Sequence, residues 1–592
     1  MAGVAAPHIQ LFASIFKGSI MRFSVKHKIS VALATLILLA VTLPGFVLAQ
    51  PRSGNTTGKS VPPASARRPR VATPGVSTDA ITHDFEEALA VIRQNYIDGN
   101  KLDYNDVYKS SIFGMLRSLD PHSNYFDRQE FEDMLSDQRS EYYGIGASIL
   151  NYAIGNSVDT YISATFQNSP ASRAGLRYGD RIDAVDGVSM HGKGSAEVRD
   201  KIRGPRGTQV KLTVTRAATG KQEAIEIIRN AVPQPSVPDA YFIRPGVGYI
   251  DMTRGFNSDT DDGLQAALEY LHAQGMTSLV LDLRNNPGGL LDQAIYVART
   301  FLPAGQVIMS QKGRNGMNDR IYTSNKTNPD RVPLVILINE YSASASEIVA
   351  GAVQDHDRGL IVGQTSFGKG LVQTIMRLDY GAGLTLTSAY YYTPSGRLIQ
   401  RDFSDGSWYN YIYRGGIARD NNKAPVQPTG PPMRTDTGRT VYGGGGITPD
   451  ELVNPDLVNA AQNRLRSPIF FFAREVASGR VAGFEKFKVD RPIDYDHVID
   501  ADDFPSSNEF YQAFRNYVAK DENFRGLLPT VDRNRQFVES QLRYNLAMAA
   551  YGTVTATQVL MRHDSQVAKA VEVLPRARDL AMAAMRARNT QP

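Results

Sequence analysis

Three serines two residues apart lie in Ser342-Ala-Ser344-Ala-Ser346-Glu347, and 25 residues after the middle one a lysine sits in Phe367-Gly-Lys369-Gly-Leu-Val-Gln373. A serine hydroxyl becomes a competent nucleophile only when a neighbouring base takes its proton. Lysine can be that base if burial drives its pKa towards neutrality, because an ammonium has no lone pair to accept with. The two segments therefore hold the parts of a Ser–Lys hydrolase, and that chemistry demands an enclosed site.

The elements around them fit this demand. Val335-Ile-Leu-Ile338 reads as a buried strand, and Ile348, Val349, Ala352 and Val353 recur at helical spacing. The serines thus fall at a strand-to-helix junction, where backbone N–H groups and the helix dipole favour negative charge. The run from Leu371 to Met376 reads as a strand whose period of two puts Lys369 and Gln373 on one face, so Gln373 can orient the lysine. Ser344-Ala-Ser-Glu347 also fits a plain capping box. The stretch from Gly363 to Lys369 matches a phosphate-binding loop until Gly370, which replaces the Ser or Thr that would hold magnesium; a strand follows instead of a helix, which argues against nucleotide binding. Upstream, Ser278 to Arg284 is a buried-strand pattern running into Asn285-Asn-Pro-Gly-Gly289 and then a helix from Leu291 to Phe301. Paired glycines let the backbone approach a reacting carbonyl, so the Gly289 N–H can join the Ala345 N–H as an oxyanion hole; an ordinary βα turn is the alternative.

Taken in order, Leu281 to Gly289, Ser342 to Asp355 and Phe367 to Gln373 resemble the signature of the carboxyl-terminal processing, or tail-specific, serine proteases. The resemblance implies Ser344 as nucleophile, Lys369 as general base, Gln373 as its positioning residue, and Gly289 with Ala345 as oxyanion hole. It also decides among the three serines, which spacing alone does not. Further upstream, Tyr143-Gly144-Ile145-Gly146 followed by Ala147 to Leu150 looks like the carboxylate-binding loop and groove strand of a PDZ domain, in which backbone N–H groups hold a terminal carboxylate and a strand pairs with the peptide. Ile149, Val198 and Ile202 are the expected groove residues, the Asp186-Gly187 hairpin signal and alternating Val210, Leu212 and Val214 complete the module, and Arg203 is a candidate link between groove and protease, with a solvated surface arginine as the alternative.

The expected architecture is α/β and multidomain: an N-terminal helical segment (79–135), a PDZ-like β-rich domain (136–232), a mixed α/β serine protease core (233–453) with an insertion at 401–445, and an extra mainly helical C-terminal region (454–592). Ile81 to Leu119 reads as helical, and His122, in an Asp-Pro turn, is expected to be structural. The insertion reads as a surface excursion, with a lid or partner site as its candidate roles, and the C-terminal region as an oligomer-forming domain. Arg22, Lys26 and Lys28 before the apolar run at 31–49 make residues 1–49 an export signal, or a membrane anchor if uncleaved, with a flexible linker over 50–78. This places the protein in the periplasm or cell envelope, with the inner membrane as its site if anchored. There is no cysteine, which excludes disulfides and thiol chemistry. With 65 basic against 60 acidic residues and no basic motif, nucleic acid is not an expected partner. Nine scattered histidines include no zinc-type pair, and Asp355-His-Asp357 is expected to cap a helix locally, so neither metal nor cofactor is expected. The function the resemblance implies, together with the export signal, is an exported serine endopeptidase acting on protein or peptide substrates with free C-terminal tails. The competing class is a catalytically inactive PDZ-type peptide-binding scaffold.

Overall fold

The computed structural model describes residues 77–404, 406–407, 410–412 and 430–589. The apolar run at 31–49 and nearly all of the linker lie outside them. Among the described residues no helix is long and apolar enough to cross a membrane. Two units are present, one up to Ser111 and one from Ile112 onwards. In the first, α1 (Thr78–Asn95) is capped by Ser77, whose hydroxyl accepts from the Ala80 N–H at 3.2 Å. A second helix, α2 (Tyr104–Arg117), begins in the first unit and runs past its boundary at Ser111. The stretch from Ile81 to Leu119 that reads as helical thus holds two helices, and Asp98-Gly99-Asn100, poor helix formers in sequence, form the short turn between them.

In the larger unit the PDZ-like module is an antiparallel sheet of β1 (Ala147–Ile154), β2 (Ser157–Thr165), β3 (Arg181–Val185), β4 (Gln209–Thr215) and β5 (Gln222–Ile228), in that spatial order, with α3 (Ser195–Ile202) against it. Asp186 and Gly187 take φ of 48° and 78°, the left-handed pair a two-residue hairpin requires. Alternate residues of β4, Val210, Leu212 and Val214, are fully buried with Ile162, Leu176, Ile182 and Val198. That is a half-buried sheet folded over one helix.

The protease core is built on a six-stranded sheet in the order β6 (Asp239–Arg244), β7 (Val247–Asp251), β8 (Ser278–Asp282), β9 (Leu334–Ile338), β10 (Leu360–Gly363) and β13 (Glu451–Leu452). All pairs beyond β6–β7 are parallel. Period two assigns the faces: Leu279, Leu281, Leu334, Ile336 and Ile338 face α4 (Leu291–Phe301) and α5 (Ala345–Asp355), while Val280, Val335, Leu337 and Val362 face the other way. A parallel sheet needs cover on both sides, and here the chain's own C-terminus supplies the second layer. Helix α8 (Ser565–Asn589) places Val567, Ala570, Val573, Leu574 and Ala577 on that face. A second antiparallel sheet holds β11 (Leu371–Arg377) and β12 (Gly383–Tyr392), with Asn124–Phe126 and Val307–Gly313.

Residues 454–589 do not stand apart as a separate body. Besides α8, α6 (Arg466–Ala477) and α7 (Arg535–Met561) share a core with the PDZ-like sheet, where Phe470 stacks on Tyr152 at 3.7 Å between centroids and lies 5.1 Å from the Tyr178 ring. The Ala153 N–H donates to the Ser467 hydroxyl, 3.1 Å. The C-terminal helices therefore join the PDZ-like module and the protease sheet in one unit.

Candidate active site

Strand β9 ends at Ile338, and the chain turns through Asn339 to Ala343 into α5, whose N-cap is Ser344. Ser344 has φ 55° and ψ −113°, a conformation that costs a residue with a Cβ about 1–3 kcal/mol. Its neighbours are not so placed. Ser342 Oγ donates to Leu283 O at 2.7 Å and Ser346 Oγ to Asn286 O at 3.0 Å, both fully buried, whereas Ser344 keeps partial exposure. Of the three hydroxyls, two are engaged in holding the turn.

Glu347 organises the rest. Fully buried, its carboxylate accepts from the Ser344 N–H (2.8 Å) and the Lys369 N–H (2.9 Å) on Oε2, and from the Gly368 N–H (2.6 Å) and the Ser366 hydroxyl (2.5 Å) on Oε1. Serine and lysine backbones thus hang on one oxygen atom. The sequence marks Glu347 only as the third residue of a capping box, and its longer-range donors leave no local signal. The Gly368 and Lys369 N–H groups are also spent on this carboxylate, which removes the donors a phosphate would need. Burial raises the Glu347 pKa, opposed by these same hydrogen bonds.

Lys369 Nζ donates to Gln373 Oε1 at 2.8 Å, and the Gln373 amide donates to the carbonyl of His122. The bulge between Val372 and Gln373 sets this register on β11. Burial pushes the lysine down to about 8, against the pull of the Glu347 and Asp120 carboxylates. Among the described residues no hydrogen bond joins Nζ to Ser344 Oγ. On the other side, the Asn285-Asn-Pro-Gly-Gly289 turn abuts the serine: a Cβ on Gly288 would fall 2.8 Å from the Ser344 Cβ and 2.9 Å from the Ala345 nitrogen. Gly289 takes φ 149°, and a Cβ there would meet Phe256 O at 2.1 Å, so only glycine fits. The Gly289 and Ala345 N–H groups have no acceptor among the described residues. The turn is braced from beneath, where Arg284 is buried between Asp282 (2.6 Å) and Asp564 (2.8 Å).

Two expectations change. Asp355, His356 and Asp357 do not cap locally: Asp355 pairs with buried Arg397, His356 with Asp436 at 2.9 Å, and Asp357 with Arg439 at 2.6 Å. They tie the end of α5 to the strands beyond it. The insertion 401–445 is likewise not only a surface excursion, since Tyr411 is 2% exposed and packs with Phe367, Phe403 and His122. Its residues 413–429 lie outside those described.

In the PDZ-like module, Gly144, Ile145 and Gly146 lead into β1, an edge strand facing α3. Gly146 has φ 75°, and a Cβ on it would strike the Ser169 Cβ at 2.3 Å. Val198 and Ile202 are buried and Ile149 half-buried beside them. Gly144 lies under Tyr142, whose Cε2 is 2.9 Å from where a Cβ would stand, and the exposed Arg203 guanidinium lies 5.3 Å from the Tyr142 ring centroid.

The candidate site thus gathers a strand-to-helix serine, a lysine whose backbone shares the serine's Glu347 anchor, and a glycine turn, in one unit with a PDZ-like module. Family comparisons agree. Residues 246–405 match peptidase family S41, and residues 162–216 match the PDZ domain. Over 325 residues the chain is 41% identical to a carboxy-terminal-processing protease of Bartonella bacilliformis, covering 53% of this chain and 72% of that protein. It is 34% identical over 319 residues to a protein of Staphylococcus aureus named "Probable CtpA-like serine protease", covering 53% of this chain and 62% of that one. Among solved structures, the photosystem II D1 C-terminal processing protease aligns at 25% identity over 65% of this chain and 95% of its own, with a TM-score of 0.32. The chain belongs to the carboxy-terminal-processing protease family.

Proposed function

We propose that the protein is an exported endopeptidase that captures the C-terminal tail of a protein substrate between β1 and α3 and hydrolyses a peptide bond with Ser344 and Lys369. The observation that carries this reading is the Glu347 carboxylate, which holds the Ser344 and Lys369 backbones on one oxygen while the Gly289 and Ala345 N–H groups have no acceptor among the described residues. Lys369 Nζ, once within hydrogen-bond reach, takes the hydroxyl proton as Ser344 Oγ attacks the scissile carbonyl. The Gly289 and Ala345 N–H groups receive the developing oxyanion. Lys369 then returns its proton to the leaving amine, and water, deprotonated in turn by Lys369, resolves the acyl-enzyme. Gln373 keeps the lysine aimed. The Gly144-Ile145-Gly146 loop holds the tail carboxylate, and Arg203, over Tyr142, is placed to sense an occupied loop.

The direct test uses a tailed protein substrate. Ser344→Ala is expected to abolish cleavage and retain binding, while Ser342→Ala and Ser346→Ala remain sensitive to labelling at Ser344 by a serine-reactive phosphonate. Label on Ser342 or Ser346 in the wild-type protein would show that another hydroxyl is the nucleophile, and binding without cleavage by the wild type would leave only the scaffold.

For the tail reader, amidating the substrate C-terminus removes the charge the loop is proposed to hold, and is expected to slow cleavage about tenfold or more. Gly146→Val, strained by its φ and by the Ser169 contact, should do likewise with phosphonate labelling of Ser344 unchanged. Equal rates for free-acid and amidated substrates would exclude carboxylate capture.

A further inference from the structure

We infer that Tyr411, at the start of the insertion, is a positioning residue for the Lys369–Gln373 pair and acts on it through His122. The inference rests on the dyad reading above, because it concerns how that lysine is aimed. An amide side chain presents an oxygen on one side and an NH2 on the other, and can exchange them by rotating half a turn. Gln373 serves Lys369 only with its oxygen towards Nζ. The group that fixes this choice is the His122 carbonyl, which accepts from the Gln373 NH2 and so forces Oε1 to the lysine.

His122 is in turn held at two places. Asp120 Oδ1 accepts from the His122 and Ser123 N–H groups, 2.7 Å each, which fixes the backbone on one side of the ring. The ring itself is fixed by Tyr411: the phenol oxygen lies 2.7 Å from His122 Nε2, and the two rings meet edge to face at 5.5 Å. Gln400 Nε2 donates to that phenol oxygen at 3.1 Å, which directs the phenol hydrogen to the imidazole. Such a bond requires a neutral ring, and burial, with the charges of Lys369 and Arg401, holds the His122 pKa well below its ordinary value. Tyr411 is anchored by Arg401, whose Nη1 donates to its carbonyl at 2.8 Å. A continuous relay therefore runs from Arg401 and Tyr411 through His122 and Gln373 to Lys369.

Tyr411→Phe deletes the phenol oxygen and keeps the ring against Phe367 and Phe403. It is expected to lower kcat about fivefold to tenfold with KM unchanged, since the substrate groove is untouched. In a Gln373→Ala background the same change is expected to have no further effect, because the residue it acts through is gone. Equal fractional losses in both backgrounds would overturn the inference, as would wild-type kcat in Tyr411→Phe beside an inactive Lys369→Ala. Full activity of Lys369→Ala would instead remove the dyad itself and this assignment with it.

Discussion

Lys369→Arg is expected to be as inactive as Lys369→Ala, with cleavage of a tailed substrate reduced at least a thousandfold in both. Arginine keeps the positive charge and much of the length, but it stays protonated at every accessible pH and cannot accept the serine proton. With Lys369 pushed down to about 8, roughly a tenth of the protein carries the free amine at pH 7. Wild-type kcat/KM should therefore climb about tenfold per pH unit below 8 and level off above it. The sign for stability follows from the same depression. Below pH 8 the folded protein holds a buried ammonium that the unfolded chain solvates freely, a cost of about 3 kcal/mol that fades between pH 8 and 10.5. Lys369→Met should thus raise the melting temperature at pH 7 while abolishing cleavage. Turnover near the wild-type rate in Lys369→Arg, or a pH profile flat from 6 to 9, would sink the general-base assignment.

Glu347→Gln should be nearly as damaging although it changes one atom. The carboxylate has two acceptors, each serving two donors, and an amide has only one oxygen to offer. Whichever way it turns, an NH2 faces two N–H or O–H donors. Losing two hydrogen bonds to a charged group in a buried place costs about 3–5 kcal/mol, and either the Ser344 and Lys369 N–H groups or the Gly368 N–H and Ser366 hydroxyl lose their anchor. Cleavage is expected to fall at least a hundredfold, with a melting temperature several degrees lower. A Glu347→Gln protein with wild-type stability and rate would show that the capping box alone explains this residue.

These cases show what the sequence could and could not disclose. Local periodicity located β8, β9, α4 and α5 because each is a fully buried strand or a one-faced helix whose pattern is written in adjacent residues. The local structure around Gly289 and Ala345 was legible for the same reason: they lie in a turn and a helix start that local rules describe. What links them is not local. Glu347 reaches Gly368 and Lys369 across 21 and 22 residues, Gln373 reaches His122 across 251, and His122 reaches Tyr411 across 289. No spacing rule extends so far. His122 could be read as structural from its Asp-Pro turn, yet it meets Gln373 through a backbone carbonyl, which no side-chain pattern can reveal. The apolar stripes of the C-terminal helices were equally visible, but a stripe states that a face is covered without naming its partner.

That partner has a consequence in time. Strands β6 to β10, with Ser344 following β9, are emitted from the ribosome more than 200 residues before Val567 to Ala577, which cover the far face of their sheet, and before Asp564, which neutralises Arg284 at the base of the Gly289 turn. Until those residues arrive, one side of a parallel sheet faces water and a guanidinium beneath the turn lacks one of its carboxylates. The segment holding Ser344 and Lys369 is thus made well before the helix that covers its sheet, and the candidate site reaches its final packing only once residues 564 to 577 have joined it.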